Sequence, residues 1–259
     1  MTTAATYVVE CSVLICARRQ TVFRYFTDSK RFADWWGAGS RIEPRPGGEV
    51  RIVYPGGVIA VGQVLELAPE ERVVFTYGYE DQQSIRPIPA GGSRVTIRLE
   101  ETPAGTLVSL SHEVETAAAR DAHVSGWRYQ LALFANVAAG EEHAQAAERI
   151  DRYFAVWNQS DAESRRRTLA EMATEDVVFQ DSFGCVRGAE DLNGHIGACQ
   201  QHMPGMTLAR EGEPRHCQGT ALADWTARGG DGSVRARGTN VFRLAPDGRI
   251  AAVVGFWAA

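Results

Sequence analysis

The sequence of 259 residues has no apolar run long enough to cross a bilayer. Its longest, Leu131 to Ala139 and Ile250 to Ala259, fall well short of the roughly 20 residues that a spanning helix needs, so no membrane partner is expected. The N-terminus lacks a basic start followed by an apolar core, so nothing marks the chain for export and a cytoplasmic location is expected. Cysteine is scarce: Cys11, Cys16, Cys185, Cys199 and Cys217 make an odd count without a Cys-x-x-Cys pair. That argues against a disulfide framework and leaves free thiols as the expectation. Nor is there a basic stripe. The formal net charge is -5, the arginines are dispersed, and Arg165-Arg166-Arg167 is the only triple, which argues against nucleic acid as a partner. A glycine-rich phosphate loop, a dinucleotide fingerprint and a nucleophile paired with a base are also missing, so no cofactor is indicated. Asn158-Gln159-Ser160 fits a glycosylation sequon, but without export it reads as the end of a helix.

What is present suits a folded chain: 44% of residues are hydrophobic and 23% charged. Two units follow one another, residues 1–141 and 142–259, because a strand-rich segment closes with a long helix and a helix-then-strands pattern begins at once. In the first unit, Tyr7 to Ile15 reads as a strand, and Thr21 to Trp36 has helical spacing interrupted around Asp28. Five β-rich runs follow, at Glu49 to Tyr54, Val58 to Leu67, Arg72 to Tyr79, Ser93 to Glu100 and Thr106 to His112, predicting an antiparallel meander. Residues 85–92, rich in proline and glycine, predict an irregular loop able to flank a pocket mouth. Val124, Trp127, Leu131 and Phe134 then give the helix Arg120 to Gly140 one apolar face for covering a curved sheet.

These residues carry a resemblance. Val22-Phe23-Arg24-Tyr25-Phe26, Asp34-Trp35-Trp36-Gly37, Arg45-Pro46-Gly47-Gly48-Glu49-Val50 and His123-Val124-Ser125-Gly126-Trp127 resemble the helix-grip (START-like, SRPBCC, polyketide cyclase) superfamily. The branch is that of the Hsp90 ATPase activator homologues. The resemblance covers about residues 7–140 and implies an antiparallel sheet around a long C-terminal helix with a hydrophobic cavity, but no shared catalytic apparatus.

In the second unit, Ala146, Ile150, Tyr153 and Trp157 share one helical face, and Asp161 is expected to cap a second helix through about Met172, the two forming a lid. A strand from Val177 ends near Asp181, Ala189 to Gln200 predicts a short helix, and four β-rich runs follow: Thr207 to His216, Thr220 to Ala227, Val234 to Leu244 and Ile250 to Trp257. Asp247-Gly248 signals a hairpin turn between the last two. Arg152 to Asn158, Asp176 to Asp181, Arg187-Gly188 and Phe242-Arg243-Leu244 resemble the SnoaL-like branch of the nuclear transport factor 2-like (NTF2-like) superfamily, which includes the ketosteroid isomerases. That resemblance covers about residues 145–259 and implies a cone-shaped α+β domain with a curved sheet.

The resemblance also implies a site. Tyr153 stands where the isomerases carry their catalytic tyrosine, and Asp181 where they carry the carboxylate base. The third position, a protonated aspartic acid in the isomerases, falls on Asn240, a departure. Together the three fit one reaction: Asp181 takes a proton from the carbon beside a carbonyl, while Tyr153 and Asn240 donate hydrogen bonds to the enolate oxygen. Each also has a structural alternative. Tyr153 fits a core residue whose hydroxyl finds a backbone partner, Asp181 a turn cap, and Asn240 a strand residue holding a structural hydrogen bond.

Trp157, Phe179, Trp225 and Phe256 are expected to make this site dry and contact substrate, with His195 at the mouth. His195, Cys199 and His202 have the spacing of one helical face, but no further ligand completes a metal set, so no metal is expected. In the first unit Trp36, Tyr77 and Trp127, with Tyr54, Tyr79 and His112, are candidates for an aromatic cavity lining. The expected function is that of a cyclase or isomerase acting without cofactor on a small hydrophobic carbonyl compound, polyketide or steroid-like. The alternative is a non-catalytic binder of a small hydrophobic molecule, with a homodimer formed through the C-terminal domain. A chaperone cofactor ranks last, because the separate N-terminal chaperone-binding domain of the eukaryotic activator is not expected here.

Overall fold

The protein is described by a computed structural model covering residues 6–81 and 88–258. Residues 85–87 of the predicted loop, the first five residues of the N-terminal reading and the last of the C-terminal apolar run lie outside the described residues. The fold is mixed α+β, with contacts dividing the chain into two compact units, Met1–Glu141 and Glu142–Ala259. Among the described residues, no helix is long and apolar enough to cross a membrane.

The first unit opens with β1 (Tyr7–Ile15), then α1 (Arg19–Arg24) and α2 (Ser29–Trp36). Asp28 splits what would be one helix: its carboxylate accepts from the backbone N–H groups of Lys30 and Arg31 and caps α2. The strands β2 (Arg41–Ile42), β3 (Glu49–Val53), β4 (Ile59–Ala68), β5 (Arg72–Tyr77), β6 (Ser93–Thr102) and β7 (Gly105–Val114) complete a seven-stranded sheet of order β1-β7-β6-β5-β4-β3-β2. Every neighbouring pair is antiparallel. The helix α3 (Ala117–Glu142) lays Trp127, Leu131 and Phe134 into the core, where Phe134 stacks on Trp35 at 4.7 Å. A Gln130 side-chain amide donates to the Trp35 carbonyl, fastening α3 to the end of α2. Each fully buried side chain of this size contributes about 1.5–3 kcal/mol by leaving water.

In the second unit α4 (Ala146–Trp157) and α5 (Ala162–Met172) precede β8 (Ala173–Gln180), β9 (Cys185–Arg187) and α6 (Ala189–His202). Asp161 caps α5 by accepting from the N–H of Ser164. The strands β10 (Thr207–Cys217), β11 (Thr220–Arg228), β12 (Val234–Leu244) and β13 (Ile250–Trp257) finish a six-stranded sheet of order β10-β11-β12-β13-β8-β9. β13 and β8 run parallel, the other pairs antiparallel.

Register decides what faces the interior. Trp225 lies opposite Gly238, which lies opposite Trp257, so a strand position without a side chain sits between two indoles. The indoles meet edge to face at 5.1 Å, and a Cβ on Gly238 would come within 2.5 Å of the Trp225 ring. Asn158 at the end of α4 both accepts from the Leu208 N–H and donates to the Leu208 carbonyl, each at 2.8 Å, and so binds the edge strand β10 as another strand would.

Candidate active site

The second unit encloses an apolar cavity of about 480 Å³ between α4, α6 and the inner face of the sheet. Tyr153, Trp157, Phe179, Asp181, His195 and Trp225 all lie on its wall, and so does Asn240. Each arrives there by the period of its element. Tyr153 and Trp157 are one helical turn apart on the buried face of α4, and Asp181 follows directly on β8.

Tyr153 is 2% exposed, and among the described residues its hydroxyl, like the indole N–H of the neighbouring Trp157, makes no hydrogen bond. The ring is held by edge contacts to Phe154 and Phe242, at 5.5 and 5.2 Å. Burial holds the phenol well above its ordinary pKa. The neighbouring Trp157 indole pulls it down and the charge of Asp181 pushes it further up. The group therefore stays protonated and able to donate.

Asn240 is 6% exposed, and its carbonyl accepts from the Trp225 indole N–H at 2.9 Å. An indole only donates, so this contact orients the amide: oxygen toward Trp225, leaving the NH₂ as the donor available to the cavity. The structural hydrogen bond expected as an alternative for Asn240 exists, and it uses the half of the amide that the proposed chemistry does not need.

Asp181 is half-buried. One carboxylate oxygen accepts from the backbone N–H groups of Phe183 and Gly184, both at 2.7 Å. The other accepts from the Trp257 indole at 3.2 Å. The residue thus caps the turn between β8 and β9 and lines the cavity at once. His195 packs on Phe179 at 5.2 Å and on Trp157 at 6.0 Å, with its Nε2 3.6 Å from the Cys199 sulfur. A Cβ on Gly184 would fall 2.4 Å from the imidazole, so glycine there is what lets His195 approach. Burial, and after it the charge of Asp181, pushes the Cys199 thiol above its ordinary pKa, so it stays protonated. Among the described residues no cluster of three His, Cys, Asp or Glu could hold a metal.

Phe256 does not belong to this site. It is 57% exposed and absent from the cavity wall, because side chains alternate along β13 and Val253, Gly255 and Trp257 take the inner face. Trp257 is an aromatic on this strand that sequence reasoning missed; counting by two from the buried Val253 would have found it. Phe183, Met203, Met206 and Leu208 also line the wall. They come from turns and an edge strand, where no periodicity points to an interior.

In the first unit Trp36, Tyr77 and Trp127 meet at a smaller cavity of about 250 Å³, together with Tyr54, Tyr79 and His123. Several of its polar groups are linked in a chain, although the buried Trp36 indole N–H has no partner among the described residues. The Trp127 indole donates to Nδ1 of His112 at 2.9 Å, so the proton of the neutral ring sits on Nε2 and is donated to Ser93 at 2.8 Å. Ser93 in turn donates to the Tyr77 carbonyl at 2.7 Å. His123 presents Nδ1 to the Ala119 carbonyl at 2.6 Å, which leaves Nε2 to accept from the Tyr79 hydroxyl at 3.0 Å. Tyr54 and Tyr77 share a hydroxyl contact of 2.8 Å. Burial, with His123 adding a smaller effect, lowers the His112 pKa to about 3. Glu113, the next residue on β7, faces outward.

Residues 17–139 match the family model described as Activator of Hsp90 ATPase homolog 1-like protein, and residues 150–253 match the SnoaL-like domain. An AHSA1-like protein from Rhizobium etli is similar at 31% identity, over 54% of this chain and 88% of that one, with a TM-score of 0.43. A SnoaL-like family protein from Agrobacterium tumefaciens, described as a candidate isomerase, is similar at 28% identity over 46% of this chain and 99% of that one, with a TM-score of 0.43. The Aha1 dimer from Colwellia psychrerythraea is similar at 18% identity over 48% of this chain and 90% of that one, with a TM-score of 0.41. No curated protein matches the chain.

Proposed function

Since the chain joins a helix-grip domain of the Hsp90 ATPase activator homologue type to a SnoaL-like domain, we propose that the second domain is a cofactor-free isomerase or cyclase. Its substrate would be a small hydrophobic carbonyl compound, polyketide or steroid-like. The observation that carries this reading is the Tyr153 hydroxyl, buried without a partner among the described residues at a cavity whose wall also presents the Asn240 amide and the Asp181 carboxylate. An unpaired buried donor costs about 1–3 kcal/mol, a cost that a ligand oxygen removes on binding.

In the proposed reaction Asp181 takes the proton from the carbon beside the carbonyl, the electron pair of that C–H bond becomes the new C=C bond, and the C=O π pair moves onto the oxygen. Tyr153 and Asn240 donate to the enolate oxygen as it forms. One such donor is worth about 3–4 kcal/mol in a dry site. The same proton then returns to another carbon of the conjugated system, or the enolate carbon attacks a second carbonyl and closes a ring, the alkoxide formed from that carbonyl's π pair taking the proton back from Asp181. Two backbone N–H groups and an indole keep Asp181 in place throughout, so little reorganisation accompanies the transfer.

A second reading is favoured by one observation: the contacts of Asp181 to Phe183 and Gly184 are those of a turn cap, which a binding protein without catalysis also needs. Incubation with a panel of hydrophobic ketones in deuterated water, followed by NMR of the protons beside the carbonyl, separates the two. Exchange that disappears in Asp181→Asn while ligand binding persists supports the enzyme. Saturable binding with exchange no faster than buffer leaves the binder. For either reading, Phe256 on the outer face of the second sheet fits a homodimer contact, tested by solution mass.

A further inference from the structure

Phe183 is 74% exposed, although it lines the apolar cavity. Its backbone is fixed in a hydrogen-bonded turn. The turn is closed by Asp181 N–H to the Gly184 carbonyl at 2.9 Å, and the Phe183 N–H is itself bound to the Asp181 carboxylate at 2.7 Å. Its ring meets Trp257 edge to face at 5.1 Å. An aromatic ring held at the open end of an apolar cavity gains from whatever covers it.

The direction of a bound molecule follows from how burial changes along the wall. Tyr153 and Asn240 are 2% and 6% exposed, Asp181 is half-buried, and Phe183 is the most exposed. A carbonyl seated on the first two places the neighbouring carbon toward Asp181 and the remainder of the molecule toward Phe183. We propose that Phe183 is a specificity-determining residue whose ring takes the apolar end of a ligand that outreaches the cavity, selecting extended hydrophobic carbonyl compounds over compact ones. This rests on the reading of the cavity as a carbonyl site and goes beyond it by naming what distinguishes one carbonyl compound from another. Met203 and Met206, also on the wall, have the unbranched, adaptable side chains that suit a tail of variable shape.

The test is a series of methyl ketones with alkyl chains from butyl to decyl, their affinities read from the quenching of tryptophan fluorescence. The unaltered protein should bind more tightly as the chain lengthens. Phe183→Ala should weaken the longest ketone about tenfold, the magnitude expected for uncovering an aromatic ring, and leave the shortest unchanged. Phe183→Leu should restore most of the loss. Equal affinities in Phe183→Ala and the unaltered protein at every length overturn the proposal. So does the same loss at every length, or a change of solution mass without length dependence, which would make Phe183 an interface between copies. If the unaltered protein binds no member of the series, the carbonyl-site reading fails first and this inference with it.

Discussion

The indole N–H of Trp257 donates to the Asp181 carboxylate at 3.2 Å, tying the last residue of β13 to the residue that follows its parallel neighbour β8. Trp257→Phe keeps an aromatic ring against Trp225 and removes only the donor. That hydrogen bond holds the carboxylate in the orientation the transfer needs, so proton exchange from a bound ketone should slow about tenfold through lost positioning. Unchanged exchange would mean that the indole serves packing and leaves the base to its two backbone donors.

Tyr153→Phe should act in opposite directions on stability and on turnover. Removing a buried, unpartnered hydroxyl lifts a penalty of about 1–3 kcal/mol, so the melting temperature should hold or rise. Loss of an oxyanion donor should lower turnover about 100- to 1,000-fold. Thermal melts beside ketone exchange rates check both; a destabilised variant would reveal a structural partner for the hydroxyl.

His112 makes stability fall in mild acid. Its pKa is lowered from 6.5 to about 3 by burial, so below 6.5 the unfolded chain binds a proton that the folded chain refuses. The stabilisation is complete above the unfolded value and is lost at up to about 1.4 kcal/mol per pH unit as pH falls from 6.5 toward 3. His112→Gln, which still offers an acceptor to Trp127 and a donor to Ser93, should flatten that slope. Denaturant melts at about pH 7 and about pH 5 decide it; parallel slopes in both proteins would refute the assignment.

Arg165 is a buried guanidinium whose hydrogen-bond partners are neutral: the Asn193 and Gln200 amides and the carbonyls of Gln159 and Ser160. It locks α5, α6 and the turn before α5 together, and Gly197 exists for it, since a Cβ there would fall 2.9 Å from the guanidinium. Arg165→Lys preserves charge but not the planar fork and should cost about 3 kcal/mol. Arg165→Met should cost a similar amount by stranding the acceptors of Asn193, Ser160 and Gln200, while the Gln159 carbonyl keeps the Gln200 amide. Equilibrium unfolding measures both, and a neutral Arg165→Lys would show that charge alone suffices.

Much of this architecture was legible beforehand. Asp161 signalled a helix start because a cap acts on its own next three residues, whereas Asp28 showed in the sequence only as a break in helical spacing. The strand runs were visible from β-branched residues between turn signals, and α3 from Trp127, Leu131 and Phe134. The strands β2 and β9 escaped notice because two or three residues carry no period. In α6, Gly194 and Gly197 argued for a weak helix, yet it runs 14 residues because tertiary packing around Arg165 outweighs propensity.

For the candidate site, the resemblance to the isomerases nominated Tyr153, Asp181 and Asn240, and apolar and aromatic residue types placed Trp157, Phe179 and Trp225 around them. They were not enough to choose between Phe256 and Trp257, adjacent aromatics on one strand. That choice belongs to register, which is set by pairing with β12 and β8, and a slip of one residue exchanges every inward side chain for its neighbour. The orientation of the Asn240 amide and the outward ring of Phe183 were settled in the same way, by contacts with Trp225 and Trp257 that lie 15 and 74 positions away. Caps and periods act over a few residues and are written into the chain locally. What faces the cavity depends on partners distant in sequence, so only the folded arrangement decides it.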